Sequence, residues 1–150
     1  MSERIQSLKI AQEFTIEANP DRVFRAVTEE VGAWWDHSFE EDHQGIHLET
    51  KLGGRFYEDW GGGGGAVYAT VQVLRPGRYL KLRGPMGMDG AVAGVIELEL
   101  VPKGEATLVK LSHSAVGEIT EETRANYSKG WTVLLGTNLK DFVEKGRRPA

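Results

Sequence analysis

Hydrophobic residues follow two different periods along this chain, and the places where the period changes divide it into elements. In "LKIAQEFTIEA", Ile10, Gln12, Phe14 and Ile16 alternate with Lys9, Glu13, Thr15 and Glu17, which is the two-residue period of a strand. A helix start follows. Asn19 is suited to cap, Pro20 to the first helical position and Asp21 to the positive end of the helix dipole, and Val23, Phe24 and Val27 then recur at helical spacing. Gly32 interrupts that pattern, so "VGAWWDHSF" predicts a second short helix. From residue 44 to 117 the period returns to two in the fragments "GIHLETKL", "GRFYEDW", "AVYATVQVL", "RYLKLRG", "AVAGVIELELV" and "ATLVKLSHSAV", separated by glycine, proline or charged turns. These predict a six-strand meander. The last element is helical: Thr120 caps, Glu121 and Glu122 fill the first turn, and the pattern runs to about Lys145 with Gly146 as its stop. At about 100° per residue, Tyr127, Trp131, Leu134, Leu135, Leu139 and Phe142 share one stripe. Gly130 and Gly136 interrupt this helix at a cost of about 1 kcal/mol each relative to alanine, which predicts close approach to a sheet. Asn138 falls inside the stripe and requires a partner if buried.

The order strand, two short helices, six strands, long helix predicts an α+β architecture: a curved seven-strand antiparallel sheet around a long C-terminal helix, with a cavity between them. A length of 150 residues with 40% hydrophobic content suits one domain over 1–150, with termini of about 1–6 and 146–150 loose. No apolar run reaches the ~18 residues of a membrane span and "MSERIQSLKI" lacks a signal-peptide pattern, so a cytoplasmic protein with no membrane partner is expected. The absence of cysteine removes disulfides, thiolate nucleophiles and cysteine metal sites together. A net charge of −4 offers no basic field for a phosphate backbone, and no nucleic-acid partner is expected.

Two stretches invite a more specific chemistry. In "EDWGGGGGAVYAT" the glycine run leads into a strand with no lysine or hydroxyl residue directly after it, so it reads as a mobile hairpin loop and not a phosphate-binding loop. "DHSFEEDHQGIH" places His37, His43 and His47 among Asp36, Glu40, Glu41 and Asp42; the spacing fits no ligand frame on a helix, and the segment reads as a solvated acidic loop. No metal or other cofactor is expected.

Several polar and aromatic positions fall on the inner face by alternation. His113 is in phase with Thr107, Val109 and Leu111, either as a core histidine with one bonded neighbour or as a ligand contact. Phe56, Glu58 and Trp60 share a face that two large apolar residues turn inward. Glu58 is then either buried, with His113 or Arg83 as partner, or left in water by a bulge or sheet edge. Trp34 and Trp35 are adjacent, so one lines the cavity and the other is more exposed.

The fragments "ANPDRVFRAVTEEVGAWW", "LGGRFYE", "LVKLSHSAVGE" and "YSKGWTVLLGTNLKDFVEKG", in this order and spacing, resemble the START/Bet v-type helix-grip superfamily, also called SRPBCC, and within it the family similar to the C-terminal domain of the heat-shock-protein ATPase activator Aha. The resemblance implies the helix-grip fold and an apolar ligand cavity. In the resembling family the loop at the glycine run is usually more polar. The expected function is binding of a small apolar or aromatic molecule between sheet and C-terminal helix. Expected wall residues are Trp35, Phe56, Trp60, Val92, Ile96 and Leu111 from the loop and sheet, and Tyr127, Trp131 and Leu135 from the helix, with Glu58, His113 and Asn138 as polar orienters. Arg124 is placed to reach a carboxylate at the mouth. The alternatives are a polyketide cyclase or aromatase-like enzyme using Glu58 and His113, with no catalytic residue in the leading reading, and chaperone regulation by protein contact, for which this chain has no room for the second domain of such activators.

Overall fold

The computed structural model describes residues 5–149. Strand β1 (Ile5–Ile16) leads into helix α1 (Pro20–Val27) and a single 3-10 turn (Val31–Ala33). Strands β2 (Ile46–Leu48), β3 (Arg55–Gly61), β4 (Gly64–Arg75), β5 (Tyr79–Arg83), β6 (Val92–Lys103) and β7 (Ala106–Glu118) follow. They form one open seven-stranded antiparallel sheet in the order β1-β7-β6-β5-β4-β3-β2, in which β1 extends the six-strand meander by pairing with β7. The C-terminal helix comprises α2 (Glu121–Val133), a π-helical segment (Leu134–Leu139) and α3 (Lys140–Lys145).

The helix ends form as their sequences require. Asn19 Oδ1 accepts from the Arg22 amide at 2.9 Å with Pro20 beside it, and Thr120 Oγ1 accepts from the Thr123 amide at 3.1 Å. Gly146 closes the C-terminal helix in the left-handed conformation, φ 67°. Gly136 fits the close approach expected of it, because a Cβ there would lie 2.9 Å from Phe14 of β1.

Four expectations need correction. "VGAWWDHSF" is not a second helix: only Val31–Ala33 turn, with no side-chain cap, and the charged segment beyond is irregular until β2. "GIHLETKL" pairs only over Ile46–Leu48, because the chain then turns so that Glu49 meets the Arg55 amide at 2.8 Å. Ile5 and Gln6, expected in a loose terminus, pair with Glu118 and Gly117 of β7, while residues 1–4 and 150 lie outside the described residues. The glycine run makes a tight hairpin between β3 and β4, with Gly62 and Gly63 at φ 64° and 89° as a two-residue turn demands, and so it is less loose than the sequence suggested.

Candidate functional site

A cavity of about 240 Å3 lies between the C-terminal helix, the sheet and the segment after the 3-10 turn. Trp35, His37, Ser38 and Phe39 supply its lip, Tyr68 and Met86 its sheet side, and Asn126, Tyr127, Gly130, Trp131 and Leu134 its helix side. Trp35 is the hub of the wall. Its ring lies 4.9 Å from Phe56, 5.6 Å from Tyr68 and 6.0 Å from Trp131, each in edge geometry.

Local irregularity aims two of these residues. Along β4, strict alternation would put Tyr68 on the opposite face from Ala69, yet both are buried. The register shift that pairs Phe56 with Ala69 but Tyr57 with Val67 leaves Tyr68 as the extra residue of a bulge, which turns its ring inward. Met86 adopts φ 51°, a left-handed conformation that is strained for a side chain of this size, and its carbonyl accepts from Tyr127 Oη at 2.8 Å. Burial pushes the Tyr68 phenol up to about 12 and the Tyr127 phenol in the same direction, so both stay protonated at neutral pH.

Glu58 is fully buried, and its partners are neither His113 nor Arg83. Its carboxylate accepts from the backbone amides of Phe39 (2.8 Å) and Glu40 (2.9 Å) and from Trp60 Nε1 (2.7 Å). It is therefore a clamp that holds the lip to β3. Burial pushes this carboxyl up, but the three donated hydrogen bonds outweigh burial and hold it below its ordinary value.

His113 is also fully buried, behind the wall. Its Nδ1 accepts from Trp131 Nε1 at 2.9 Å, so the proton of the neutral ring sits on Nε2, which has no partner. Burial pushes its pKa down to about 4. Folded protein thus binds this proton less readily than unfolded chain, and its contribution to stability is full above about 6.5 and is lost as pH falls towards 4, a change of about 3 kcal/mol. Denaturant melts of wild type and His113→Phe over that range will check this. The wild-type curve should fall more steeply, and parallel curves would contradict the assignment.

Of the expected wall residues, Trp35, Tyr127 and Trp131 border the cavity. The others do not. Ile96, Leu111 and Leu135 are packed core, Phe56 stands behind Trp35, and Val92 is half-buried as the first residue of β6. Trp60 is 39% exposed because the register shift between Asp59 and Gly61 carries it to the hairpin end. Asn138 is buried away from the cavity with Nδ2 unpartnered, so the partner it requires is missing for that atom. Of the adjacent pair, Trp35 lines the cavity and its neighbour is not exposed: Trp34 is 2% exposed in the core, and its Nε1 donates to the Ala26 carbonyl at 2.8 Å. Arg124 turns to β1, pairing with Glu121 and donating to the Ser7 carbonyl, and does not reach the mouth. Gly130 has no close approach to the sheet to explain it, since a Cβ there would meet only His37 Nε2 at 3.9 Å.

The loop histidines also separate. His43 Nδ1 accepts from the Gly45 amide, His47 lies against Tyr57, and His37 alone of the three borders the cavity. Among the described residues no cluster of three or more His, Asp or Glu is gathered to hold a metal ion, and no helix is long and apolar enough to cross a membrane. Sequence reasoning missed Phe39, Tyr68, Met86 and Leu134; Leu134 was in the helical stripe, Tyr68 was in a strand whose alternation the bulge overrides, and Phe39 and Met86 carried no periodic signal.

Comparison with known proteins places this geometry. The model of one protein family, described as Activator of Hsp90 ATPase homolog 1-like protein, matches residues 17–144. Among solved structures the chain is similar to DynU16, a protein of the dynemicin biosynthetic locus, with 21% identity and a TM-score of 0.68 over 93% of this chain and 48% of that one. The chain thus spans about half the length of DynU16. It is similar to the Aha1 dimer from Colwellia psychrerythraea, with 22% identity and a TM-score of 0.66 over 93% of this chain and 98% of that one. An uncharacterized protein from Rhizobium leguminosarum gives 18% identity and a TM-score of 0.71 over 97% and 99% of the two chains. At these identities the likeness is one of fold. No curated protein matches the sequence.

Proposed function

Because the chain belongs to the Activator of Hsp90 ATPase homolog 1-like family and has its helix-grip fold, we propose that it binds one small apolar or aromatic molecule in the cavity between sheet and C-terminal helix. The observation that carries this reading is the lining: Trp35, Phe39, Tyr68, Met86, Tyr127 and Trp131 converge on about 240 Å3. A dry cavity of about 150 Å3 is enough for benzene, so this one suits a molecule of one or two rings and not a long acyl chain. The Tyr127 hydroxyl is tied to a backbone carbonyl and that of Tyr68 lies 3.3 Å from another, which leaves the rings, and not the phenols, to face the ligand.

A cyclase or aromatase-like reaction through Glu58 and His113 gains no support from their placement, since neither borders the cavity and the Glu58 oxygens are already occupied. No feature of the described residues favours chaperone contact over the cavity. The reading predicts that naphthalene binds the native protein saturably at about one site and perturbs tryptophan emission, because Trp35 and Trp131 form the wall. Titration followed by fluorescence and calorimetry will decide. Binding that never saturates, or none across naphthalene, indole and toluene, would sink it.

A further inference from the structure

The mouth of the cavity carries two features that its aromatic walls do not explain. His37 borders the cavity with Nδ1 2.9 Å from Asp36 Oδ1. A carboxylate only accepts, so Nδ1 carries the proton, and in the neutral ring Nε2 presents a lone pair. The Tyr68 hydroxyl lies 3.3 Å from the His37 carbonyl and steadies its backbone. Nε2 takes no protein hydrogen bond among the described residues, and it faces Gly130.

Gly130 is the second feature. It sits inside α2, where glycine is a worse residue than alanine, and it is not in a left-handed conformation. An added Cβ would find ordinary contact distance, 3.9 Å, to His37 Nε2 and nothing else within 4 Å. The protein's own packing therefore does not demand a glycine here, in contrast to Gly136. What the missing methyl leaves is a strip of bare helix backbone at the cavity edge, opposite an imidazole acceptor.

We propose that this notch is the subsite for the hydroxyl of a phenolic ligand, whose ring lies among Trp35, Tyr68, Tyr127 and Trp131 while its O–H donates to His37 Nε2. The assignment rests on the cavity reading above and specifies the ligand class. A phenol fits better than a carboxylate for two reasons. With Nδ1 turned to Asp36, the uncharged ring presents Nε2 as an acceptor at this position, and the lip carries Asp36, Glu40, Glu41 and Asp42, which repel an anionic head. It fits better than an aliphatic alcohol because the walls are aromatic. Neither tyrosine competes for the acceptor, since the Tyr127 hydroxyl donates to the Met86 carbonyl and the Tyr68 hydroxyl lies against the His37 carbonyl and Glu58.

The test titrates the full chain with 2-naphthol, 2-methoxynaphthalene and naphthalene. Wild type should bind 2-naphthol about fivefold or more tighter than either analogue, as one hydrogen bond to a positioned acceptor predicts. His37→Phe keeps a ring but removes the acceptor, and should bring the three affinities within about twofold of one another. Gly130→Ala should leave the melting temperature unchanged or raised and yet weaken 2-naphthol about tenfold, because the methyl fills the notch. Equal affinities in wild type, a naphthol preference that survives in His37→Phe, or Gly130→Ala binding like wild type would each overturn the phenol subsite and leave the cavity reading standing, provided naphthalene binds saturably. Failure of all three ligands to bind would overturn both.

Discussion

Trp131→Ala is expected to lower stability by about 3–5 kcal/mol, a large part of what a domain of this size possesses. Trp131 is 5% exposed, and its ring separates the ligand cavity from His113. Truncation removes a large buried surface and opens the cavity towards His113. It also takes away the indole N–H that His113 Nδ1 accepts at 2.9 Å, leaving both nitrogens of a buried imidazole without partners. Trp131→Phe keeps most of the surface and loses the hydrogen bond, so it should cost about 1–2 kcal/mol. Urea melts of the three proteins give the comparison directly. A loss below about 1 kcal/mol for the alanine variant would mean that the ring is not the partition described here.

Glu58→Leu should be nearly as damaging, by a different route. The carboxylate satisfies the amides of Phe39 and Glu40 and the Trp60 indole, and leucine leaves these donors with nothing. At about 1–3 kcal/mol for each unsatisfied buried donor, reduced where water reaches the lip, the expected cost is about 3–5 kcal/mol. Hydrogen exchange at Phe39 and Glu40 should quicken in the variant, because the lip detaches before the sheet unfolds. The pH dependence carries the same signature. A carboxyl held below its ordinary value of 4.5 stabilises fully above that pH and loses its contribution as pH falls through the lower folded value, so this acid-labile portion should be absent in Glu58→Leu. Unchanged protection of the two amides would refute the clamp.

The parts of this fold that were legible in sequence are those governed by period and caps. Asn19-Pro20 placed α1, the stripe from Tyr127 to Phe142 placed the C-terminal helix, and alternation found every strand of the sheet. The resemblance drawn from the same fragments pointed to the family whose model matches residues 17–144. The site was only partly legible, for a definite reason. Trp35, Tyr127 and Trp131 belong to patterned segments or their immediate flank. Tyr68 enters through a bulge that periodicity cannot register, Phe39 lies on an irregular lip whose path is set by a distant carboxylate, and Met86 depends on a left-handed residue in a loop. Conversely, Ile96 and Leu111 face inward as alternation says and Leu135 as the helical stripe says, but inward here means packed core, since all three lie in one buried cluster with Trp131, Leu134 and Leu139. Periodicity separates inside from outside and does not distinguish a filled interior from a hollow one.

The way the lip is fastened bears on how its chemistry can be rewritten. Glu58 grips Phe39 and Glu40 through main-chain N–H groups, which every residue except proline supplies. The path of the lip is thus indifferent to which side chains it carries. Ser38, Phe39 and Glu40 can be exchanged for larger, smaller or oppositely charged residues without disturbing those two anchors, so this stretch works as an interchangeable rim on a fixed fastening. A library confined to these positions would vary what the mouth admits while leaving its shape in place, and proline at Phe39 or Glu40 is the substitution it should omit.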